Sequence, residues 1–516
     1  MASYTVEADN VEAEIKVREI SEGHVPRYLV DYPEFRETTE TVLDEVKREV
    51  TSKVDIEDRE ILDPKSVDKI KEQFLETSRE ISKNYFPKLG EEEISTLAGR
   101  LTHEMYGLGR LEILLSDDDL EEIVINSADE PIWVYHKEFG WLKTDIQLES
   151  EETIYNYSSV IGRRVGKQIS NLQPLLDAHL PSGDRVNATL FPISTDGNTI
   201  TIRKFARNPW TITHFIDPEL GTLSKEIAAL LWLSIQYEMN MIIAGGTASG
   251  KTALLNTLTP FIPPNQRIVT IEDTRELNLP PYLHWVPMTT REPNPEGKGE
   301  VSMLDLMVNS LRMRPDRIIV GEIRKKRQAE VLFEAMLTGH SVYSTLHANT
   351  AQEVKRRMVN PPIDIPKTML ESLHLTTVQY RDRRTGVRRT RELAEMVPKS
   401  RRKGEGVELE VRTLYRWRPE SDTFSKIRDS DRLLNEIGSH TSMSEDEIKG
   451  NLKEKERILQ WFLENDLKTT NAVGKIVAEY YTDKERVLDL VRENARPDKL
   501  LTEDEIKGLK KRGFRD

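Results

Sequence analysis

The stretch Met241-Ile242-Ile243-Ala244-Gly245-Gly246-Thr247-Ala248-Ser249-Gly250-Lys251-Thr252 decides the fold. Its first four residues predict a buried strand, and Lys251–Leu258 predicts the helix that follows. The eight residues between match the pattern G-x-x-x-x-G-K-T. Glycines in such a loop allow positive φ angles and let successive backbone N–H groups converge on an anion at a helix N-terminus. The pattern therefore predicts a phosphate-binding P-loop at Gly245–Thr252.

The loop also predicts the ligands. In this pattern the lysine, here Lys251, reaches the β- and γ-phosphates, and the hydroxyl of Thr252 binds Mg²⁺. ATP and Mg²⁺ are therefore the expected cofactors. The chain has no cysteine and its ten histidines include no HExxH pattern, so no zinc site is expected.

Two acidic residues follow apolar strands that we expect beside the loop. Glu322 comes two residues after the predicted strand Arg317–Val320. The residue between them, Gly321, occupies the place where many P-loop ATPases have an aspartate directed at Mg²⁺. Glu322 is thus a candidate to serve the metal, the attacking water or both. Glu272, followed by Asp273, ends the predicted strand Arg267–Ile271 at the same carboxyl edge. Either acid could instead cap the helix that comes next.

A histidine follows the fourth predicted strand, Ser341–Thr345. His347 would lie at the carboxyl edge, within hydrogen-bonding reach of a γ-phosphate, whereas His340 would lie at the other end of the strand. A lone histidine can equally have a purely structural role. From spacing alone, both interpretations of His347 stay open.

Length and composition limit the class of protein. A chain of 516 residues with 37% hydrophobic and 31% charged residues predicts two to four globular domains. Its net charge of −14 argues against a protein dominated by nucleic-acid binding. The longest apolar stretch, around Ala228–Leu233, is too short to cross a bilayer, and the acidic N-terminus does not resemble a secretory signal. We expect a cytoplasmic location.

Periodicity and turn residues suggest the domain boundaries. They predict a mostly helical N-terminal domain over residues 1–87, including helices at Glu37–Lys53 and Val67–Asn84, and an α+β domain over 88–208. A linker is expected at 209–222. Residues 223–516 predict an α/β domain with a mainly parallel sheet, followed by a helical extension from about residue 400.

Four motifs together carry a family resemblance. Beside the P-loop they are Ile271–Glu276, Leu311–Arg324 and the pair Thr338–His340 and Ser344–Ala348. These resemble the Walker A, Asp-box, Walker B and His-box signatures of the type II/type IV secretion ATPase superfamily, and the chain is similar to its archaeal branch. The resemblance covers about Leu108–Pro362 and implies a RecA-like P-loop ATPase domain preceded by a PAS-like α+β domain.

The resemblance implies roles and partners. Glu272 would belong to the Asp box, Glu322 to Walker B, and His347 to the His box that faces the γ-phosphate. Members are homohexameric rings in which arginines of the upstream domain approach the nucleotide, and the matching positions are Arg185 and Arg203. Such motors power pili, archaella or secretion machines from the inner face of the cell membrane, on a polytopic platform protein. Arg185 and Arg203 could otherwise be solvated strand residues.

Other functions are compatible with a P-loop. A nucleic-acid translocating RecA-like ATPase is the main alternative, although no basic stripe interleaved with aromatic residues is evident and we expect no nucleic-acid partner. A small-molecule kinase is a third class. The basic run Arg381–Arg391, with Arg401-Arg402-Lys403, could contact an acidic membrane surface or a platform protein, or could be a solvated hairpin.

Overall fold

A computed structural model describes residues 2–19, 25–33, 37–54, 67–180, 182–205, 209–293, 297–399 and 408–502. The chain divides into two compact units, Met1–Arg207 and Asn208–Asp516. Within these described ranges, each unit contains one nine-stranded sheet. The basic residues Arg401, Arg402 and Lys403 lie outside the described part of the chain.

The strands of the first unit are β1 (Ala2–Ala8), β2 (Val11–Arg18), β3 (Arg27–Asp31), β4 (Leu120–Ile125), β5 (Trp133–His136), β6 (Gly140–Thr144), β7 (Leu175–His179), β8 (Arg185–Thr189) and β9 (Thr199–Arg203). Its helices are α1 (Glu37–Lys53), α2 (Val67–Tyr85), α3 (Glu91–Met105), α4 (Leu111–Ser116) and α5 (Glu151–Arg164). The sheet has the order β1-β2-β3-β6-β5-β4-β9-β8-β7. Strands β3 and β6 pair in parallel, and the other neighbours are antiparallel.

The expectation of a mostly helical segment over residues 1–87 is wrong at its start. The described residues at this end of the chain form the strands β1, β2 and β3, which extend the same sheet as the strands of the expected α+β domain. In β2, Val11, Ala13, Ile15 and Val17 are buried and alternate with polar residues, the period-two pattern of a strand with one buried face. Helices α1 and α2 agree with the predicted ones, and the two expected domains lie within one compact unit.

The first hairpin packs closely on α3. A Cβ atom added to Gly99 would stand 2.0 Å from the carbonyl oxygen of Asp9, so only glycine allows this approach. The buried imidazole of His103 places Nε2 3.0 Å from Asp9 Oδ2 and Nδ1 3.3 Å from the hydroxyl of Tyr32. Lys71 also pairs with Asp9 at 2.7 Å. These contacts fix the β1–β2 turn against α3.

The strands of the second unit are β10 (Met241–Gly245), β11 (Arg267–Glu272), β12 (His284–Thr289), β13 (Arg317–Val320), β14 (Ser341–Leu346), β15 (Leu375–Arg381), β16 (Arg388–Lys399), β17 (Glu408–Arg418) and β18 (Thr423–Lys426). Its helices are α6 (Ile212–Ile216), α7 (Lys225–Gln236), α8 (Lys251–Leu258), α9 (Met303–Ser310), α10 (Lys326–Leu337), α11 (Ala351–Val359), α12 (Lys367–Leu370), α13 (Asp431–Thr441), α14 (Glu445–Glu464), α15 (Thr470–Thr482) and α16 (Lys484–Arg492).

The second sheet has the order β12-β11-β13-β14-β10-β15-β16-β17-β18. The first six strands in this order, from β12 to β15, pair in parallel. The last three, β16, β17 and β18, extend the sheet with antiparallel pairing. The four strands predicted at this sheet are confirmed as β10, β11, β13 and β14, and their residues are almost all buried. Burial on both faces explains their continuous apolar sequences. The α/β prediction for this part of the chain is therefore confirmed.

Two expected boundaries are wrong. The segment 209–222 contains α6, whose Ile212, Phe215 and Ile216 are buried in the core of the second unit, so it packs as part of that unit. The C-terminal helices begin at Asp431 rather than about residue 400, because β17 and β18 first lengthen the sheet. No helix of the described residues is long and apolar enough to cross a membrane.

The close approach at Gly99 generates a stability prediction. Gly99→Ala should lower the stability of the first unit by about 2 kcal/mol, because the new methyl group collides with the Asp9 backbone. Differential scanning calorimetry measures the change. The control is Gly450→Ala in α14, where an added Cβ meets nothing within 4 Å and the helix should become more stable by up to about 1 kcal/mol. Equal effects of the two substitutions would contradict the close contact.

Candidate functional site

The glycine-rich loop joins β10 to α8 in a conformation that depends on glycine at two positions. A Cβ atom on Gly245 would lie 2.3 Å from Ser249 Oγ and 2.6 Å from the carbonyl oxygen of Gln379. Gly250 has a φ of +89° at the N-cap of α8. The loop therefore curls tightly and presents its backbone N–H groups at the start of a helix, as a phosphate cradle requires.

Lys251 and His347 lie together at the carboxyl edge of the sheet. Lys251 Nζ donates to the carbonyl oxygen of Gly246 at 3.0 Å and lies 3.4 Å from His347 Nδ1. Burial lowers the pKa of Lys251, and the charges of Glu322 and Glu276 oppose that shift. Partial burial, followed by the Lys251 charge, lowers the pKa of His347. The ammonium of Lys251 has only donors, so a neutral imidazole accepts from it at Nδ1 and carries its proton on Nε2.

Glu322 completes this cluster. Its Oε1 lies 3.0 Å from His347 Nε2, and its Oε2 pairs with Arg324 at 2.7 Å. Arg324 also pairs with Asp273 at 2.9 Å, which joins the ends of β11 and β13. The structure thus brings together Lys251, His347 and Glu322, as the sequence predicted. It adds Arg324, to which the sequence analysis gave no role although its position two residues after Glu322 was a usable signal.

Glu272 occupies a different environment at the same edge. Its side chain is buried, and Oε1 accepts hydrogen bonds from the backbone N–H groups of Glu276 and Leu277 at 3.0 and 3.1 Å. Its Oε2 makes no hydrogen bond within the described residues. Burial raises the pKa of Glu272 to about 7, against the two backbone donors. Gly321 is adjacent to it, and a Cβ atom there would make ordinary contacts of 3.5 Å with the Glu272 Cα and Cγ atoms.

The remaining predicted residues lie in three places. Thr252 is the second residue of α8, next to Lys251, and is half-buried. His340 lies at the opposite end of β14, where Nδ1 is 3.1 Å from the hydroxyl of Thr338, so it is not part of the cluster. Arg185 and Arg203 belong to the first unit and stand directly opposite each other on β8 and β9, both exposed.

Arg185 forms an ion pair with Asp177 at 2.7 Å, and Arg203 also lies opposite Glu122 on β4. Two like charges at directly opposed positions of an antiparallel pair repel each other. The carboxylates of Asp177 and Glu122 offset that repulsion.

The residues at the loop fit a magnesium nucleotide. The loop has no space for a side chain at Gly245, and Lys251 Nζ lies against the carbonyl oxygen of Gly246 within it. A hydroxyl at Thr252 and a carboxylate at Glu322 are the oxygen ligands that Mg²⁺ prefers. Such an ion would neutralise charge on the β- and γ-phosphates. A second side of the loop, formed by Gln379 and Arg388 of the β15–β16 hairpin, was not anticipated from the sequence.

The sequence profile of the family described as "Type II/IV secretion system protein" matches residues 106–380. The chain belongs to this family. An uncharacterized protein of Methanocaldococcus jannaschii is 36% identical over 405 residues, which cover 76% of this chain and 71% of that protein. The type IV secretion system protein PtlH of Bordetella pertussis is 32% identical over 273 residues, covering 49% and 80%. The superfamily resemblance of the motifs is thereby confirmed.

A solved structure is also similar to this type II/IV secretion family member. The Legionella pneumophila ATPase DotB aligns with a TM-score of 0.40 and 20% identity, covering 74% of this chain and 94% of that one. At this level the alignment adds nothing to the assignment. The profile match and the relatives carry it.

Glu272 of this family member generates a prediction on pH. Above its ordinary pKa of 4.5 the unfolded chain loses the proton, whereas the folded protein keeps it until about pH 7, so this group lowers stability as pH rises across that interval. Glu272→Gln keeps an acceptor for the two backbone donors and has no proton to lose. The unfolding free energy of this variant, relative to that of the wild type, should be about 2 kcal/mol higher at pH 8 than at pH 5.

Calorimetric unfolding at the two pH values measures this difference. The control is Glu353→Gln, because a backbone hydrogen bond from Asn349 lowers the pKa of Glu353 and the residue is ionised in both states across this range. Its effect should be the same at pH 5 and pH 8. A Glu272→Gln effect that does not vary with pH would contradict the buried, protonated state.

Proposed function

We propose that the chain is an ATPase that binds MgATP at Gly245–Thr252 and releases ADP and phosphate. The observation that carries the proposal is the cluster at the mouth of the loop, where His347 lies within 3.4 Å of Lys251 and 3.0 Å of Glu322. A loop that only joined a strand to a helix would need neither a partly buried lysine nor a histidine and carboxylate beside it. Family membership supports the same reaction.

The two glutamates have different roles in this proposal. Glu322, held by Arg324, would bind the metal together with Thr252, and His347 would contact the γ-phosphate. Glu272 acts as the general base for the attacking water, because a carboxyl group with a pKa near 7 is matched to proton transfer at neutral pH. Its Oε2, which has no hydrogen bond within the described residues, is the acceptor. Asp273 positions Arg324 and has no direct role in proton transfer.

The first unit supplies Arg185 and Arg203 to the nucleotide in this proposal. Both are exposed on adjacent strands, and a guanidinium brought to the γ-phosphate by movement of a unit stabilises the charge of the transition state. The working form is a homohexamer. Domain closure around the nucleotide would then couple hydrolysis to movement.

That movement serves a membrane machine. We propose that the chain acts at the cytoplasmic face of the cell membrane, on a polytopic platform protein, to power a type IV pilus-like filament, an archaellum or a type II-like secretion system. The support is membership in the family and the likeness to a relative named as a type IV secretion system protein. A polytopic membrane protein that co-purifies with the chain, and whose removal abolishes membrane recovery of the chain, would identify the platform.

Phosphate release by the purified full-length chain tests the ATPase proposal. Lys251→Ala should abolish turnover, because the phosphates lose their main cation. Glu322→Gln should still bind ATP and hydrolyse it about 100-fold more slowly. The control is Lys326→Ala on α10, an exposed lysine that pairs with Asp364 away from the loop and should leave the rate unchanged.

Normal turnover in both site variants would overturn the assignment. Stimulation of the wild-type rate by DNA or RNA, with a steep salt dependence, would instead favour a nucleic-acid translocase. Transfer of phosphate to a small acceptor without release of free phosphate would indicate a kinase.

A further inference from the structure

The P-loop has different neighbouring strands on its two sides. Strand β10, which leads into it, pairs with β14 on one side and β15 on the other. Glu322 and His347 follow β13 and β14, so these two residues of the cluster belong to the first side. The second side is formed by β15 and its partner β16, and no sequence motif indicated that these strands lie beside the loop.

Arg388, the first residue of β16, reaches the loop from this second side. Its Nε donates to the carbonyl oxygen of Ala248 at 3.3 Å. Its Cδ lies 3.7 Å from the position that a Cβ on Gly250 would take, so the aliphatic stem packs over that glycine. The side chain therefore covers the outer part of the loop between Ala248 and Gly250.

The next residue holds the strand in place. Arg389 pairs with Asp422 at 2.7 Å and donates to the carbonyl oxygen of Leu220 at 2.6 Å. Thr390 donates its backbone N–H to the carbonyl oxygen of Thr222 at 2.7 Å. Because side chains alternate along a strand, anchoring Arg389 on one face directs Arg388 to the other face, toward the loop.

The guanidinium of Arg388 keeps most of its donors available to a ligand. It carries five N–H groups, and its side chain makes one hydrogen bond and no ion pair to a carboxylate within the described residues. Two acids of the β15–β16 hairpin make other contacts: Asp382 accepts from the backbone of Arg384, and Glu392 accepts from the backbone of Ala351. A fixed planar cation without a carboxylate partner is suited to recognise a ligand.

We propose that Arg388 binds the nucleoside end of the nucleotide, with its guanidinium against the base and ribose. The inference rests on the proposed ATP site and adds a residue to it. The γ end of the nucleotide is held on the side of Lys251, His347 and Glu322, so the nucleoside end extends toward the β15–β16 side. A guanidinium packs well on the face of an aromatic base.

Comparing two ligands distinguishes a contact of Arg388 with the nucleoside from a contact with the phosphates. Full-length protein is titrated calorimetrically with magnesium ADP and with magnesium tripolyphosphate, which has no nucleoside. Arg388→Ala should weaken binding of ADP about 10-fold and leave tripolyphosphate binding unchanged. The matched control is Arg384→Ala, at the tip of the same hairpin, whose side chain is 92% exposed and lies 3.9 Å from Asp382. This control should bind both ligands as the wild type does.

Equal weakening of both ligands would overturn the proposal, because Arg388 would then bind phosphate. Unchanged ADP binding would overturn it as well. If Arg388→Ala does not fold, Arg388→Lys and Arg388→Gln provide the same comparison. Lys251→Ala tests the underlying site separately: it should weaken both ligands, and wild-type binding of both by this variant would refute the ATP site whatever Arg388 does.

Discussion

The parallel pairing of β10 on both of its edges is the constraint on which the candidate site depends. Met241 through Ala244 are in register with Tyr343 through Leu346 on one side, and Met241 through Gly245 with Leu375 through Gln379 on the other. This register brings the end of β15 against the start of the loop, where a side chain at Gly245 would collide with the Gln379 backbone. It also places His347 beside Lys251. The loop is therefore shaped by its neighbours as well as by its own glycines.

The same sheet edge gives its two glutamates opposite electrostatic environments. Glu322 lies between the side chains of His347 and Arg324, with one carboxylate oxygen on each. Glu272 lies in the interior, where its carboxyl group accepts from the backbone N–H groups of Glu276 and Leu277, and burial favours its protonated form. Two carboxyl groups in such different environments are suited to different chemical tasks. This contrast is the physical basis for assigning the metal to one and proton transfer to the other.

The sequence predicted the parts of the site that are local in the chain. The P-loop, the buried strands and the acids and histidine at their ends follow from short patterns, and the parallel sheet brings them to one edge. It did not predict Arg388, because its contact with Ala248 depends on the register of a hairpin about 140 residues away. The N-terminal strands were missed because acidic residues between Val11 and Val17 outweighed a clear alternation. Strands β17 and β18 were missed because charged residues obscured the strand pattern of β17, which pairs with β16, and of β18, which pairs with β17.

The central claim is that the tight loop at Gly245 is a cradle for MgATP, and two adjacent glycines test it most directly. Calorimetric titration of MgATP would compare Gly245→Ala with Gly246→Ala, after circular dichroism has shown that both variants are folded. A Cβ at Gly246 would only touch Asn349 Oδ1 at 3.6 Å, whereas at Gly245 it would collide with Ser249 and Gln379. The account predicts that Gly245→Ala loses about 100-fold in affinity and that Gly246→Ala stays within about 3-fold of wild type. Wild-type affinity in Gly245→Ala would contradict it.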